Sequence, residues 1–166
     1  MTAISGATSI SELPVLSELP VEHLADMTVE FEPFTLVPTL VTDRLVTLGV
    51  RGRLEGPRIN ADLLPGGSDT MLLGSDGIAR VNAHAVFQTD DAVLIELSNA
   101  GVVRIPSDGF ARLTAGEGLS FGETYIRTTP KFETSDERYN WLNGLVTVSY
   151  TLLSATRVAS RIYAVL

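Results

Sequence analysis

The chain has 166 residues, is 45% hydrophobic and carries a formal net charge of −8, with no cysteine and only two histidines. That length supports one sizeable core but not two, and the acidic balance, without any lysine or arginine run, offers no cationic footprint for a phosphate backbone, so nucleic acid is not expected as a partner. The lack of cysteine excludes disulfide scaffolds, thiolate nucleophiles, iron–sulfur clusters and cysteine-ligated zinc.

Residues 1–26 stand apart from the rest, with a near-repeat of Ser11-Glu12-Leu13-Pro14 and Ser17-Glu18-Leu19-Pro20. The prolines forbid a regular helix here. Two readings are open: an extended leader, or an apolar strip of Leu13, Val15, Leu16, Leu19 and Val21 that packs on the body or closes a pocket as a lid. No basic segment followed by an apolar run opens the chain, and no apolar stretch approaches the roughly 20 residues that span a bilayer. A soluble cytoplasmic protein without membrane contact is the expectation.

Residues 27–166 read as one all-β domain. Valine, threonine, isoleucine and aromatic residues come in short runs broken by glycine, proline, asparagine or aspartate. The runs predict strands over 27–36, 45–54, 57–64, 79–88, 92–98, 101–105, 121–128, 144–152 and 157–165. Turns are expected at Gly56-Pro57, Pro65-Gly66-Gly67, Asp76-Gly77, Asp90-Asp91, Asn99-Ala100-Gly101 and Asp108-Gly109. One short helical turn is expected at 135–142, capped by Ser135 and ended by Asn143-Gly144. Short antiparallel strands at this spacing build a sandwich or a closed barrel. A ligand-binding barrel needs mixed inward faces, and Glu123, Tyr125 and Arg127 share a face, as do Asn82 and His84, and Ala92, Leu94 and Glu96. The solvent face of a plain sandwich alternates in the same way.

Three segments carry a family resemblance: Gly56-Pro57 with LLPGGSD (63–69), QTDDAVLIELSNAG (88–101), and YIRTTPKFET with YNWLN (125–134 and 139–143). In this order they resemble the motifs of the uncharacterised family called domain of unknown function 3237, or uncharacterised protein family 0311, over roughly residues 27–166. The resemblance implies a closed antiparallel barrel of the calycin-like kind, with the motif loops near one opening, and members that look like small-molecule binders; it implies no general activity. This chain departs from the pattern at Thr70, where the family has tryptophan, and at Ala92, where the family's Asp-Asp-Gly ends in glycine.

Arg127 is the first site candidate, because an inward guanidinium in an apolar barrel can hold a carboxylate, enolate or phenolate through two hydrogen bonds. The competing reading is an internal ion pair with Asp69, Asp90, Asp91 or Glu133. The aspartates at 69, 90 and 91 sit in turn motifs, where the side chain commonly bonds nearby amides; one that pointed into a dry barrel mouth would have its pKa raised into the range useful for proton transfer. Glu96 and Glu123 are simplest as solvated strand residues. Tyr125, Phe87, Phe132, Tyr139 and Trp141 are candidates for an aromatic wall, with Trp141 favoured as an end plug and Tyr125 as a pocket residue. His84 is a candidate pocket base. His23 and His84 lie too far apart in sequence for a histidine-rich metal site, and no metal or other cofactor is expected. No nucleophile elbow, P-loop or dinucleotide-binding glycine pattern occurs.

These residues predict a barrel that binds a small apolar or aromatic organic molecule, with Arg127, Tyr125, Asp69 and Asp91 as catalytic candidates. As an enzyme it is a cofactor-independent cyclase, isomerase or lyase acting on a biosynthetic intermediate; as a binder it carries or sequesters the same kind of molecule. The residues leave assembly into a homo-oligomer open.

Overall fold

The structure is a computed structural model that describes Ile10 and residues 14–166. Ten strand segments follow the chain: β1 (Val21–Phe31), β2 (Thr35–Val37), β3 (Arg44–Glu55), β4 (Asn60–Leu63), β5 (Ser68–Leu73), β6 (Ala79–Thr89), β7 (Leu94–Arg104), β8 (Tyr125–Glu133), β9 (Thr147–Leu153) and β10 (Arg157–Val165). They make eight antiparallel staves, because two staves are broken. β1 and β2 both pair with the same edge of β3, and β4 and β5 both lie between β3 and β6. Each stave pairs with the next in sequence, and β10 closes the ring on β1, with Met27 opposite Ser160 and Val29 opposite Val158. Closure joins all eight staves into one ring, with β8 and β9 paired only at Arg127–Tyr150 and Thr128–Ser149.

Several expected boundaries change. The first strand begins at Val21, so five residues of the segment read as a leader pair with β10 instead, with a bulge at Leu24. Of the apolar strip before it, Val15, Leu16 and Leu19 are exposed, and Leu13 lies outside the described residues. The expected turn at Asn99-Ala100-Gly101 is absent. β7 runs straight through it, because Gly101 serves close backbone approach: a Cβ there would lie 2.2 Å from the Arg127 carbonyl oxygen on β8. A strand over 68–73 follows the Pro65-Gly66-Gly67 turn. The expected helical turn at 135–142 appears as a 3-10 turn over Asn140–Gly144, and the structure adds a six-residue helix, α1 (Gly109–Thr114).

The interior is packed in two apolar clusters, one toward each end. Leu24, Leu54, Ile59, Phe87, Ile95, Phe132, Leu142 and Ile162 form one, with Trp141 and Tyr139 packed against it. Phe31, Met71, Val81, Val103, Leu113, Leu119, Ile126 and Leu153 form the other, under α1. Among the described residues no helix is long and apolar enough to cross a membrane.

Candidate functional site

A belt of small polar side chains lines the barrel between these clusters. It follows from inverted alternation along β9 and from single polar residues on the inward faces of its neighbours. On β9, Thr147, Ser149 and Thr151 point inward and are buried, while Tyr150 and Leu152 point outward and are exposed. On β7, Asn99 lies on the buried face with Ile95, Leu97 and Val103. On β5 the inward polar residue is Asp69, on the same face as Met71. Cross-strand pairing places Thr47, Asp69, Ala83 and Asn99 side by side on four neighbouring staves, so only a methyl group stands between Asp69 and Asn99 in this row.

The belt encloses a cavity of about 100 Å³. Its wall is mostly apolar, from Met27, Val29, Met71, Phe87, Leu97 and Ile126, with Asp69, Asn99, Thr128, Thr151 and Ser160 as polar points. Its scale is that of a single small ring, since an apolar cavity of about 150 Å³ holds benzene. The edge reaches Gly67, Ser68 and His84, beside the break between β4 and β5.

Asp69 dominates the chemistry. Its Oδ1 atom is buried with no hydrogen-bond partner, and Oδ1 of Asn99 is in the same condition. Buried polar atoms are nearly always paired, so two orphan acceptors in one cavity wall call for a donor from an occupant. Desolvation pushes the Asp69 pKa up to about 7, because no described cation pairs with the carboxylate while low polarity disfavours its charge. The group therefore exchanges a proton near neutral pH, as a general acid or base must.

The other expected site residues lie elsewhere. Arg127 and Tyr125 face outward, because Ile126 and Thr128 are the buried residues of β8. This corrects the expectation of an inward guanidinium. Arg127 lies over the rings of Tyr150 at 4.0 Å and Tyr125 at 4.7 Å, and its Nη1 donates to the Ile126 carbonyl at 2.9 Å. Among the described residues it makes no ion pair. The anticipated carboxylate partners are held by other arginines. Asp90 accepts two hydrogen bonds from Arg53 at 2.7 and 3.0 Å, which lower its pKa. Asp91 accepts from Thr89 at 2.6 Å, Tyr139 at 2.9 Å and Arg138 at 2.9 Å, and is likewise lowered, chiefly by the Thr89 bond. Both are exposed anions that pin the β6–β7 turn.

His84 is outward and exposed, reaching only the cavity edge. Glu96 and Glu123 are exposed, and Glu123 is bound by Arg112 at 2.7 Å. Phe87 is fully buried and lines the cavity; Phe132 belongs to the end cluster, and Trp141 packs there with the Arg58 guanidinium 3.7 Å over its ring. The structure therefore separates Asp69 from Arg127, Tyr125, Asp90 and Asp91 rather than gathering them at one mouth. Among the described residues no group of three or more histidine, aspartate or glutamate side chains is placed to hold a metal ion. Asn99 and the hydroxyls of 128, 149, 151 and 160 went unrecognised in the sequence, although Thr147, Ser149 and Thr151 at every second position were a legible signal of one polar face.

The fold and this interior define a closed eight-stave antiparallel β-barrel with a polar belt around a small internal cavity. The chain belongs to the family described as "Protein of unknown function (DUF3237)", which matches residues 19–165. A relative from Rhodopseudomonas palustris, called a UPF0311 protein, is 30% identical over 69% of this chain and 75% of its own length. A crystal structure of a conserved protein of unknown function from the same organism superposes with a TM-score of 0.84 at 26% identity, covering 91% of this chain and all of that one. A structure described as an enzyme from Penicillium herquei has a TM-score of 0.68 at 18% identity, covering 93% of this chain and all of the other, a likeness of fold alone.

Proposed function

We propose that the barrel binds a small, largely apolar organic molecule in its interior cavity and acts on it as a cofactor-independent enzyme of the cyclase, isomerase or lyase class, with Asp69 transferring the proton. The observation that carries this reading is the Asp69 carboxyl: half-buried, with Oδ1 fully buried and unpartnered, in the wall of a mostly apolar cavity, its pKa pushed up to about 7. An unpaired buried carboxylate costs stability, and sites of strong pKa perturbation cluster where proton transfer is the task. That a protein of the same fold is described as an enzyme agrees with this reading and assigns no reaction.

The elementary step is abstraction of a proton from a carbon beside a carbonyl. The C–H bond breaks, the proton passes to an Asp69 oxygen, and the electron pair moves toward the carbonyl oxygen as the enolate forms. Return of a proton to the same or another carbon completes an isomerisation, and attack of the enolate on an internal electrophile completes a cyclisation. The test is hydrogen–deuterium exchange at the α-carbons of cyclohexanone in D₂O, followed by proton NMR. The proposal predicts exchange well above the buffer rate for the wild type and its loss in Asp69→Asn. Saturable binding of the ketone with no acceleration of exchange would instead assign the barrel a carrier role.

A further inference from the structure

Four buried hydroxyls form a continuous chain across β8, β9 and β10. Thr128 Oγ1 lies 2.6 Å from Ser149 Oγ, which lies 3.4 Å from Thr151 Oγ1, which lies 2.8 Å from Ser160 Oγ. Each hydroxyl has one proton to donate and two lone pairs. Three links consume three protons, so one O–H always remains without an acceptor inside the chain. Each link can run either way, so the spare donor can sit on any of the four, and three of them, Thr128, Thr151 and Ser160, line the cavity. The same wall carries the orphan acceptors of Asp69 and Asn99. The cavity thus offers an occupant one hydroxyl donor and two acceptors within an otherwise apolar enclosure.

We propose that the chain Thr128–Ser149–Thr151–Ser160 binds the carbonyl oxygen of a neutral, ring-sized hydroxy-ketone whose hydroxyl donates to Asn99 Oδ1, leaving Asp69 to the proton at carbon. This inference rests on the proposed interior site and specifies its substrate class. Neutrality follows from the surroundings: a chain with net charge −8 repels anions, and no lysine or arginine lines the cavity, His84 reaching only its edge. Size follows from the volume of about 100 Å³, which encloses no more than one small ring. Asp69 on β5 lies across the ring from Ser149 and Thr151 on β9, while Asn99 on β7 adjoins the stave of Thr128, so the polar points fix the orientation of the occupant as well as its affinity.

The probes are cyclohexanone, which can only accept hydrogen bonds, and toluene, which makes none of this kind. Both are titrated at pH 8.5, where Asp69 is ionised and the hydroxyl chain is left to donate. The wild type is expected to bind cyclohexanone about 5- to 10-fold more tightly than toluene, the worth of one neutral hydrogen bond. In the variant Thr128→Val, Ser149→Ala, Thr151→Val, Ser160→Ala, every hydroxyl of the chain is removed together with its partner, which is the substitution pattern that folding tolerates best. There the ketone preference should vanish, while toluene affinity stays within about twofold. A ketone preference that survives in this variant, or equal affinities in the wild type, would overturn the assignment of the hydroxyl chain while leaving the cavity reading intact. Failure of both probes to bind the wild type would remove the cavity reading as well. The infrared carbonyl stretch of bound cyclohexanone serves without any variant: a shift to lower frequency than in hexane supports the hydroxyl contact, and an unshifted band contradicts it.

Discussion

Replacing Asp69 by asparagine keeps the size and shape of the side chain and removes its charge, so the substitution reads directly what burial of the carboxylate costs. In the unfolded chain the group titrates near its ordinary value of 3.8, whereas in the barrel desolvation raises this to about 7. Between these values the folded state holds a proton that the unfolded state has lost. Stability therefore falls as the pH rises from about 4 to 7, and the penalty is complete above the folded value. The rise from 3.8 to about 7 corresponds to about 4 kcal/mol as an upper bound. Asp69→Asn escapes this penalty. Wild type and variant should be within about 1 kcal/mol of each other at pH 4, and at pH 8.5 the variant should be more stable by about 2–4 kcal/mol. At roughly 2–4 °C per kcal/mol for a domain of this size, the Tm difference opens to about 5–15 °C. Asp26, Asp76, Glu123 and Asp136 are lowered to about 2 by ion pairs and hydrogen bonds, so their contributions are lost only as the pH falls through that range, and equally in both proteins. Urea or thermal denaturation at pH 4, 5.5, 7 and 8.5 measures the difference. A gap between wild type and variant that stays constant across this range would refute the buried, unpaired carboxylate.

Arg127→Met removes a guanidinium stacked on Tyr150 and Tyr125 outside the barrel. It should cost about 0.5–2 kcal/mol in denaturant titration and leave cyclohexanone affinity within about twofold; a large loss of binding would return Arg127 to the site. Ala92 adopts φ 67° in the β6–β7 turn, where a side chain is strained and glycine is not. Ala92→Gly should therefore raise stability by about 1 kcal/mol, visible as a higher midpoint in the same titration, and a lower midpoint would show that the strain is absent.

The all-β class and most of the strands were legible because β-branched and aromatic runs are separated by turn residues. The broken staves were harder. The Pro65-Gly66-Gly67 turn reads as a strand connection, yet it interrupts one stave between β4 and β5, and only pairing with β3 and β6 on both sides shows this. Asn99-Ala100-Gly101 has the composition of a turn, but its glycine answers the approach of β8 and its asparagine faces the cavity. Asp69 was among the candidates through its motif. The outward facing of Arg127 and Tyr125 was legible in β8 itself, where Ile126 and Phe132 alternate with Arg127, Lys131 and Glu133, whereas β9 reverses the usual polarity: Ser149 and Thr151 point inward while Tyr150 and Leu152 point out. The ion pairs that occupy Asp90 and Asp91 join residues as distant in sequence as 53 and 138, which spacing could not reveal.

The central claim, that Asp69 is a proton-transfer group within the cavity, is tested most directly by the pH dependence of cyclohexanone exchange in the wild type. With Asp69 as the base, kcat/KM for exchange should rise with pH and level off with a midpoint near 7, the value set by burial of the free carboxyl. A midpoint near 4, or a rate that no saturable binding precedes, would contradict it.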